Sequence, residues 1–234
     1  MLNIFRRFFS PSPLHPALRK NRELFSGFDQ GRPLNSYTFV VFDTELTGLN
    51  RRKDEIISIG AVRLVNLQIE LDQTFHRHIR PADIQPNKAT LVHRITPEQL
   101  KQAAPAEEVL PQFIEFCSDS LLVGHFVGLD MHFLNKTACR VFSGILSNPS
   151  IDTMRLARRY QDSGITDHYG HHDQASSYTL DALSQEFGLP VFKPHDALED
   201  ALQTAYLFLY LLKKFRYGGI NTLRDLYRAG RIRS

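Results

Sequence analysis

The sequence of 234 residues contains no tryptophan and only two cysteines, Cys117 and Cys139. Their separation matches no metal-binding or redox pattern, and so few cysteines are typical of the reducing cytoplasm. Long apolar runs are also missing, because the longest, residues 205–212, is far shorter than a membrane span requires. The apolar start of the chain is interrupted by Arg6 and Arg7, which argues against a secretory signal. We therefore expect a cytoplasmic protein that does not cross a membrane.

Charge is distributed unevenly along the chain. Residues 1–36 and 213–234 together carry 13 basic and three acidic residues, a net charge of +10, and the middle of the chain carries −7. Basic segments attract the phosphate backbone, so an acidic body between basic ends fits a nucleic-acid enzyme whose acidic cleft holds metal. Basic ends that only keep the protein soluble are an equally good explanation of the charge alone.

The two ends of the chain are predicted to flank a single domain at residues 37–216. Residues 1–36 contain four prolines, which exclude a long helix and predict a basic, extended N-terminal arm. Its apolar start is expected to dock on the body or on a partner, with binding to a membrane surface as the alternative. Residues 217–234 are predicted as a basic C-terminal tail that contains one short helix and that binds a partner subunit or DNA.

Hydrophobic spacing indicates an α/β domain. Residues 37–80 predict three strands, the second and third of which are antiparallel neighbours joined near residues 66–68. The pattern then alternates between helices and short strands, which is typical of a mixed sheet. The predicted helices lie near residues 105–117, 129–142, 153–160, 179–187, 197–215 and 222–228, and the further strands at 121–124 and 149–151.

Acidic residues lie where predicted strands end and predicted helices begin. Asp43 and Glu45 are two residues apart on the first strand, so both carboxylates face one side of the sheet, about 7 Å apart. Two like charges so close need a positive partner, for which a divalent cation with oxygen ligands is the usual choice. Asp130 and Asp200 each lie in the first turn of a predicted helix, where complementing the helix dipole is the simpler explanation.

Three segments occur in the order and spacing of the DEDDh 3′–5′ exonucleases: FDTELTGL (42–49), GHFVGLD (124–130) and HDALEDA (195–201). The shorter segments VHRIT (92–96) and IDT (151–153) agree with them. The sequence therefore resembles this family, which includes the proofreading epsilon subunit of bacterial DNA polymerase III and RNase T, over about residues 37–212. The resemblance implies an RNase H-like mixed β-sheet flanked by helices.

The resemblance also implies catalytic roles. Asp43, Glu45, Asp130 and Asp200 are expected to hold two Mg²⁺ or Mn²⁺ ions, about 3.5–4 Å apart as in other two-metal sites. His195 is expected to take a proton from the attacking water, a role that suits imidazole chemistry. Hard oxygen ligands favour Mg²⁺ or Mn²⁺ over zinc. Cleavage at such a site releases nucleoside 5′-monophosphates.

Substrate contacts are expected from a second set of residues implied by the resemblance. The terminal nucleotide is expected to contact Thr44, Leu46, Thr47, Gly48 and Leu49. For Leu49, a side chain folded onto the core is an equally good explanation.

Two positions near the expected substrate depart from the family. His93, in a predicted loop, is expected to lie near the substrate, and the usual glycine after it is replaced by Arg94, which could contact phosphate. Phe126 takes the place of the usual asparagine, which removes a polar contact near the scissile end.

The predicted loop at residues 161–177 contains three histidines, His168, His171 and His172. They are more simply explained as loop residues than as a transition-metal site.

The sequence thus predicts a metal-dependent 3′–5′ exonuclease that acts on single-stranded or frayed DNA 3′ ends, in proofreading or repair. The same chemistry on RNA, as in RNase T, is the alternative, because recognition of the 2′-OH depends on pocket contacts. A catalytically idle nuclease fold that serves as an adaptor is disfavoured by the intact carboxylates and by His195. A metal sensor built on the histidine loop would bind zinc even without Asp43. A polymerase or other protein partner is expected to bind through the basic ends.

Overall fold

The computed structural model describes residues 14–86, 88–162 and 177–229. A five-stranded sheet lies at its centre. The strands are β1 (Phe39–Leu46), β2 (Ile56–Val65), β3 (Gln68–His78), β4 (Leu121–Gly124) and β5 (Ser150–Asp152), in the spatial order β3-β2-β1-β4-β5. β2 is antiparallel to both β1 and β3, whereas β4 and β5 run parallel to β1, so the sheet is mixed as predicted.

Helices cover both faces of this sheet, and each set of helices forms an apolar core with the sheet. The side chains of β1 alternate between these two cores. Val40 and Phe42 pack with the helices at residues 106–117 and 128–142, and Phe39 and Val41 pack with those at residues 153–162 and 197–217. Within the described residues, no helix combines the length and apolar character needed to cross a membrane. The helices are α1 (Pro16–Leu24), α2 (Lys88–His93), α3 (Pro97–Gln102), α4 (Ala106–Cys117), α5 (Gly128–Phe142), α6 (Thr153–Asp162), α7 (Leu180–Glu186), α8 (Ala197–Tyr217) and α9 (Leu223–Ala229).

The N-terminal segment is not extended throughout. Helix α1 packs on α4 through the buried Leu18, and the Asn21 side-chain amide donates a hydrogen bond of 2.6 Å to Asn148 Oδ1. Pro16 opens this helix, where the missing N–H costs no hydrogen bond, so prolines permit a helix of nine residues here. The expectation of an extended arm is therefore wrong for α1. The apolar start of the arm, at residues 1–13, lies outside the described residues.

The C-terminal segment also packs against the body. Leu223 and Leu226 of α9 are buried in the core on the α8 side. The backbone N–H of Arg224 donates a hydrogen bond of 2.9 Å to the carbonyl of Gln30. The described part of the predicted tail is therefore bound to the N-terminal segment and contributes to the core.

The first turn of α8 rests directly on β2. A Cβ atom at Gly60 would lie 2.1 Å from the carbonyl carbon of Ala197 and 2.1 Å from the nitrogen of Leu198, so only glycine permits this approach. Gly60 pairs in register with Asp43 of β1. The N-terminus of α8 is thereby held close to the carboxyl end of β1.

We expect Gly60→Ala to destabilise the protein by about 1–3 kcal/mol or more, because the added methyl group must displace helix backbone. Gly27→Ala is the matched control, since nothing lies within 4 Å of a Cβ atom at that position. The control should change the free energy of unfolding by no more than about 0.5 kcal/mol. Chemical denaturation measures both values, and equal stabilities would contradict the close packing of α8 on β2.

Candidate active site

Four acidic residues from three elements converge at the carboxyl end of β1. Asp43 and Glu45 belong to β1, Asp130 to the first turn of α5, and Asp200 to the first turn of α8. The negative charges of Asp130, Asp200 and Glu45 all raise the pKa of Asp43, in that order of importance after burial. The structure thus brings together the four carboxylates that the sequence singled out.

The pairing of β1 with β2 fixes the direction of the first two carboxylates. Asp43 lies opposite Gly60 and Glu45 opposite Ser58, so both point to the face that α8 covers. The register shifts immediately after Glu45, where Leu46 pairs with Ile56. Such bulges bend a strand and redirect its side chains, and they are common beside active sites.

Burial is the main reason why all four carboxyl groups have raised pKa values. The pKa of Glu45 is raised to about 8, and those of Asp130 and Asp200 to about 7 each. Burial, followed by repulsion from neighbouring carboxylates, also raises the pKa of Asp43 well above its usual range. Four ionised carboxylates in one place need positive charge to be stable. A divalent cation with oxygen ligands would supply it, so the residues present fit such a metal.

Two hydrogen bonds orient the carboxylates that come from helices. The hydroxyl of Thr44 donates a bond of 2.5 Å to Asp130 Oδ1, and the backbone N–H of His195 donates a bond of 3.0 Å to Asp200 Oδ2. Both bonds lower the pKa of their carboxyl group and so oppose the effect of burial. Bonds of this kind favour the ionised form, which is the form that binds metal.

His195 stands at the open side of the cluster. One ring nitrogen of His195 and one carboxylate oxygen each from Glu45 and Asp200 lie within 4.8 Å of one another. The histidine is exposed, and its backbone adopts a left-handed conformation with φ of 66°. The side chain of Asp196 caps α8 by accepting a hydrogen bond of 3.1 Å from the N–H of Leu198. The turn before α8 thus presents the imidazole to solvent beside two carboxylates.

The loop after β1 is arranged around a carboxylate that sequence reasoning missed. Asp54 accepts hydrogen bonds of 3.1 Å from the Thr47 hydroxyl and 2.6 Å from the backbone N–H of Asn50. A Cβ atom at Gly48 would lie 2.5 Å from the Asp54 carboxylate, so any other residue there would displace this carboxylate from its hydrogen bonds. The side chain of Leu49 is 75% exposed, which excludes the alternative that this leucine is folded onto the core.

Two other predicted substrate residues of β1 have buried side chains. The Thr44 hydroxyl is occupied by Asp130, and Leu46 packs in the core on the α4 side. These two positions therefore have only backbone groups to offer a bound nucleotide. The contact between Thr44 and Asp130 could not be found from the sequence, because 86 residues separate the two side chains.

His93 ends the short helix α2, so the expectation that it lies in a loop is wrong. Its ring is buried, and Nδ1 accepts a hydrogen bond of 3.0 Å from the backbone N–H of Ile95. Burial and the nearby His195 and His78 lower the pKa of this imidazole. A cavity of about 10 Å³ is lined by Thr47 and His93 among others, which places His93 beside the loop that follows β1.

Two residues that depart from the family pattern have left-handed backbones, with φ of 60° at Arg94 and 56° at Phe126. Phe126 is 45% exposed, and its N–H donates a bond of 3.1 Å to Asp152 Oδ1. Strained backbone is frequent around active sites. The three histidines of the predicted polar loop lie outside the described residues.

Comparison with known proteins identifies relatives across most of the chain. A family model, RNase T, described as an exonuclease, matches residues 40–208. The DNA polymerase III subunit epsilon of Aquifex aeolicus is 34% identical over 197 residues, which are 83% of this chain and 89% of that protein. The PolC-type DNA polymerase III of Thermotoga maritima is 36% identical over 189 residues, which are 81% of this chain and 13% of that protein. The chain thus spans about one-eighth of the PolC-type relatives that it matches.

Solved structures share the fold. The nuclease domain of 3′hExo, a DEDDh family member bound to rAMP, superposes with a TM-score of 0.63 and 18% identity, over 78% of this chain and 94% of that one. Exonuclease X in complex with 5′ overhanging duplex DNA gives a TM-score of 0.60 and 22% identity, over 82% and 99% of the two chains. These likenesses confirm the predicted fold class.

Without divalent cations, we expect the protein to become less stable as the pH rises from about 5 to 8. The folded protein keeps protons on Glu45 (pKa about 8) and on Asp130 and Asp200 (pKa about 7), whereas the unfolded chain releases them near pH 4. Raising the pH through this window therefore favours unfolding. Mn²⁺ should raise the melting temperature more at pH 8 than at pH 5.5, as measured by thermal denaturation.

The variant Glu45→Gln removes one of these groups and should flatten the fall in melting temperature. Asp72→Asn, at an exposed position of β3, is the control and should keep the pH dependence of the wild type. A metal-free melting temperature that stays constant over this pH range would refute the electrostatic account of the cluster.

Proposed function

This chain belongs to the exonuclease family, and we propose that it is a metal-dependent 3′–5′ exonuclease that releases nucleoside 5′-monophosphates from DNA ends. The observation that carries the proposal is the convergence of Asp43, Glu45, Asp130 and Asp200 beside His195. These side chains come from segments far apart in the sequence, and their repulsion makes the assembly costly. A cluster of this kind does not stabilise the core, but phosphoryl transfer at a metal site requires one.

The four carboxylates would hold two Mg²⁺ or Mn²⁺ ions. When bound, such ions would lower the pKa of the attacking water and stabilise the negative charge on the leaving oxygen. His195 is exposed beside Glu45 and Asp200, so its ring can accept the proton of a water that attacks the last phosphodiester. Thr44 keeps the carboxylate of Asp130 in place through its hydroxyl. The role of this chain is therefore to orient oxygen ligands and to move one proton.

The loop after β1 is proposed to hold the terminal nucleotide. Leu49 extends into solvent from a loop whose backbone is held by a hydrogen bond to Asp54. Its apolar side chain can therefore pack against a base. Backbone groups at Thr44 and Leu46 are proposed to contact the sugar. Phe126 is exposed next to the first turn of α5 and offers an aromatic surface for stacking.

DNA is the proposed substrate because relatives at 34–36% identity are named as DNA polymerase III proteins. The structure of exonuclease X with duplex DNA supports the same choice. RNA is the second candidate, since the nuclease domain of 3′hExo binds rAMP. Association with a polymerase through the basic ends of the chain is part of the proposal, as is a location in the cytoplasm.

We expect the protein to shorten 5′-labelled single-stranded DNA one nucleotide at a time from the 3′ end. The activity should need Mg²⁺ or Mn²⁺ and disappear in excess chelator. Asp43→Asn and Asp200→Asn should each lower the rate by several orders of magnitude, because each removes a ligand charge, and Asp72→Asn should not. Gel electrophoresis of single-stranded DNA, mismatched duplex DNA and RNA at matched concentrations identifies the preferred substrate. Shortening from the 5′ end, or activity that survives chelation, would overturn the proposal.

His195→Ala should slow cleavage by about 10²–10⁴-fold, the usual contribution of a general base. The variant keeps the backbone N–H that bonds to Asp200, so we expect it to bind Mn²⁺ almost as well as the wild type. Asp200→Asn provides the comparison, because it should lose both Mn²⁺ affinity and activity. Calorimetric titration with Mn²⁺, combined with single-turnover cleavage, separates the two effects. A His195→Ala enzyme of normal rate would mean that another group accepts the proton.

A further inference from the structure

Ser58 is a buried polar residue to which the proposed mechanism gives no role. Ser58 lies on β2 and is 1% exposed, and its hydroxyl makes no hydrogen bond to any residue that the structure describes. A buried hydroxyl without a partner destabilises a protein, and apolar residues are normally preferred at such positions. The neighbours of Ser58 on β2 are Ile57 and Ile59, which are both apolar and fully buried.

The strand register places Ser58 directly opposite Glu45 in the antiparallel pair of β1 and β2. Residues opposite each other in such a pair lie on one face, with Cβ atoms about 4.5–5.5 Å apart. At this separation the hydroxyl of Ser58 can reach the Glu45 carboxylate when the two side chains adopt suitable rotamers. On its other side Ser58 pairs with His78 of β3.

We propose that Ser58 is a positioning residue whose hydroxyl donates a hydrogen bond to the Glu45 carboxylate when Glu45 binds a divalent cation. The proposal rests on the proposed function, because it assumes that Glu45 is a metal ligand. An ionised carboxylate offers about four acceptor sites, and a bond to an ionised acceptor is stronger than one between neutral groups. Thr44 holds Asp130 and the His195 N–H holds Asp200, so Ser58 gives Glu45 the donor that the other two carboxylates already have.

Charge favours Glu45 over His78 as the acceptor. The Glu45 carboxylate carries the negative charge that the cluster must orient, and a hydrogen bond to an ionised acceptor is stronger than one to an imidazole nitrogen, which is uncharged whenever it accepts. The two choices make different predictions. A bond to Glu45 matters only while Glu45 is a carboxylate, and a bond to His78 is independent of Glu45.

The experiment compares Ser58→Ala with the wild type in two measurements that should move in opposite directions. The metal-free melting temperature should stay equal or rise, because alanine removes a buried hydroxyl that lacks a partner. The Mn²⁺ affinity, measured by calorimetry, should fall by about tenfold or more, the usual effect of removing a group that orients a metal ligand. A role in folding alone would not weaken Mn²⁺ binding.

Ser120→Ala is the matched control. Ser120 is also fully buried, and its hydroxyl likewise finds no partner among the described residues, but it lies before β4, at the end of that strand opposite the cluster. Its replacement should leave the Mn²⁺ affinity within about twofold of the wild type. In a Glu45→Ala background, Ser58→Ala should likewise change the affinity by less than about twofold, because the acceptor is already gone.

Two results would overturn the proposal: an unchanged Mn²⁺ affinity in Ser58→Ala, or an equal loss of affinity with and without Glu45. The second result would assign the hydroxyl to His78. Failure of the proposed function is a separate outcome, recognised by wild-type protein that binds Mn²⁺ but does not shorten nucleic acid from the 3′ end.

Discussion

The contact between Gly60 and the first turn of α8 is the constraint on which the candidate site depends. β1 brings its carboxylates to the end of the sheet, but Asp200 comes from α8 and His195 from the turn before it, both at least 150 positions after Glu45. Only a residue without a side chain lets that helix backbone touch β2 beside Asp43. The same contact crowds the negative charges together, so the packing that builds the site also creates its need for a cation.

Much of this arrangement could be predicted from the sequence, because it depends on local patterns. The alternation of β1 predicts that Asp43 and Glu45 share a face, and the helical period around residue 200 predicts the long helix that carries Asp200. The three segments at residues 42–49, 124–130 and 195–201 identify the DEDDh resemblance, which the family model and the epsilon relative confirm. The mixed sheet was also predictable, since three strands precede the alternating helices.

The features that escaped prediction depend on distant pairings. No local pattern states that Glu45 faces Ser58, because a loop rather than a tight turn joins β1 to β2 and leaves the register free. Thr44 was expected at the substrate, yet its hydroxyl bonds to Asp130. α1 was missed because four prolines obscured a helix that begins at one of them, and α2 because six residues show too little of the helical period.

The pairing of the two ends of the chain has a consequence for how such a domain can be used. Residues near Gln30 and Arg224 are hydrogen-bonded to each other, and Pro33 forms a β-bridge with Thr222. The segments that lead into β1 and away from α8 thus lie next to each other, and neighbouring connections of this kind tolerate insertion into a longer chain. A domain with this arrangement can be inserted into a larger polypeptide without separating the strands of its sheet.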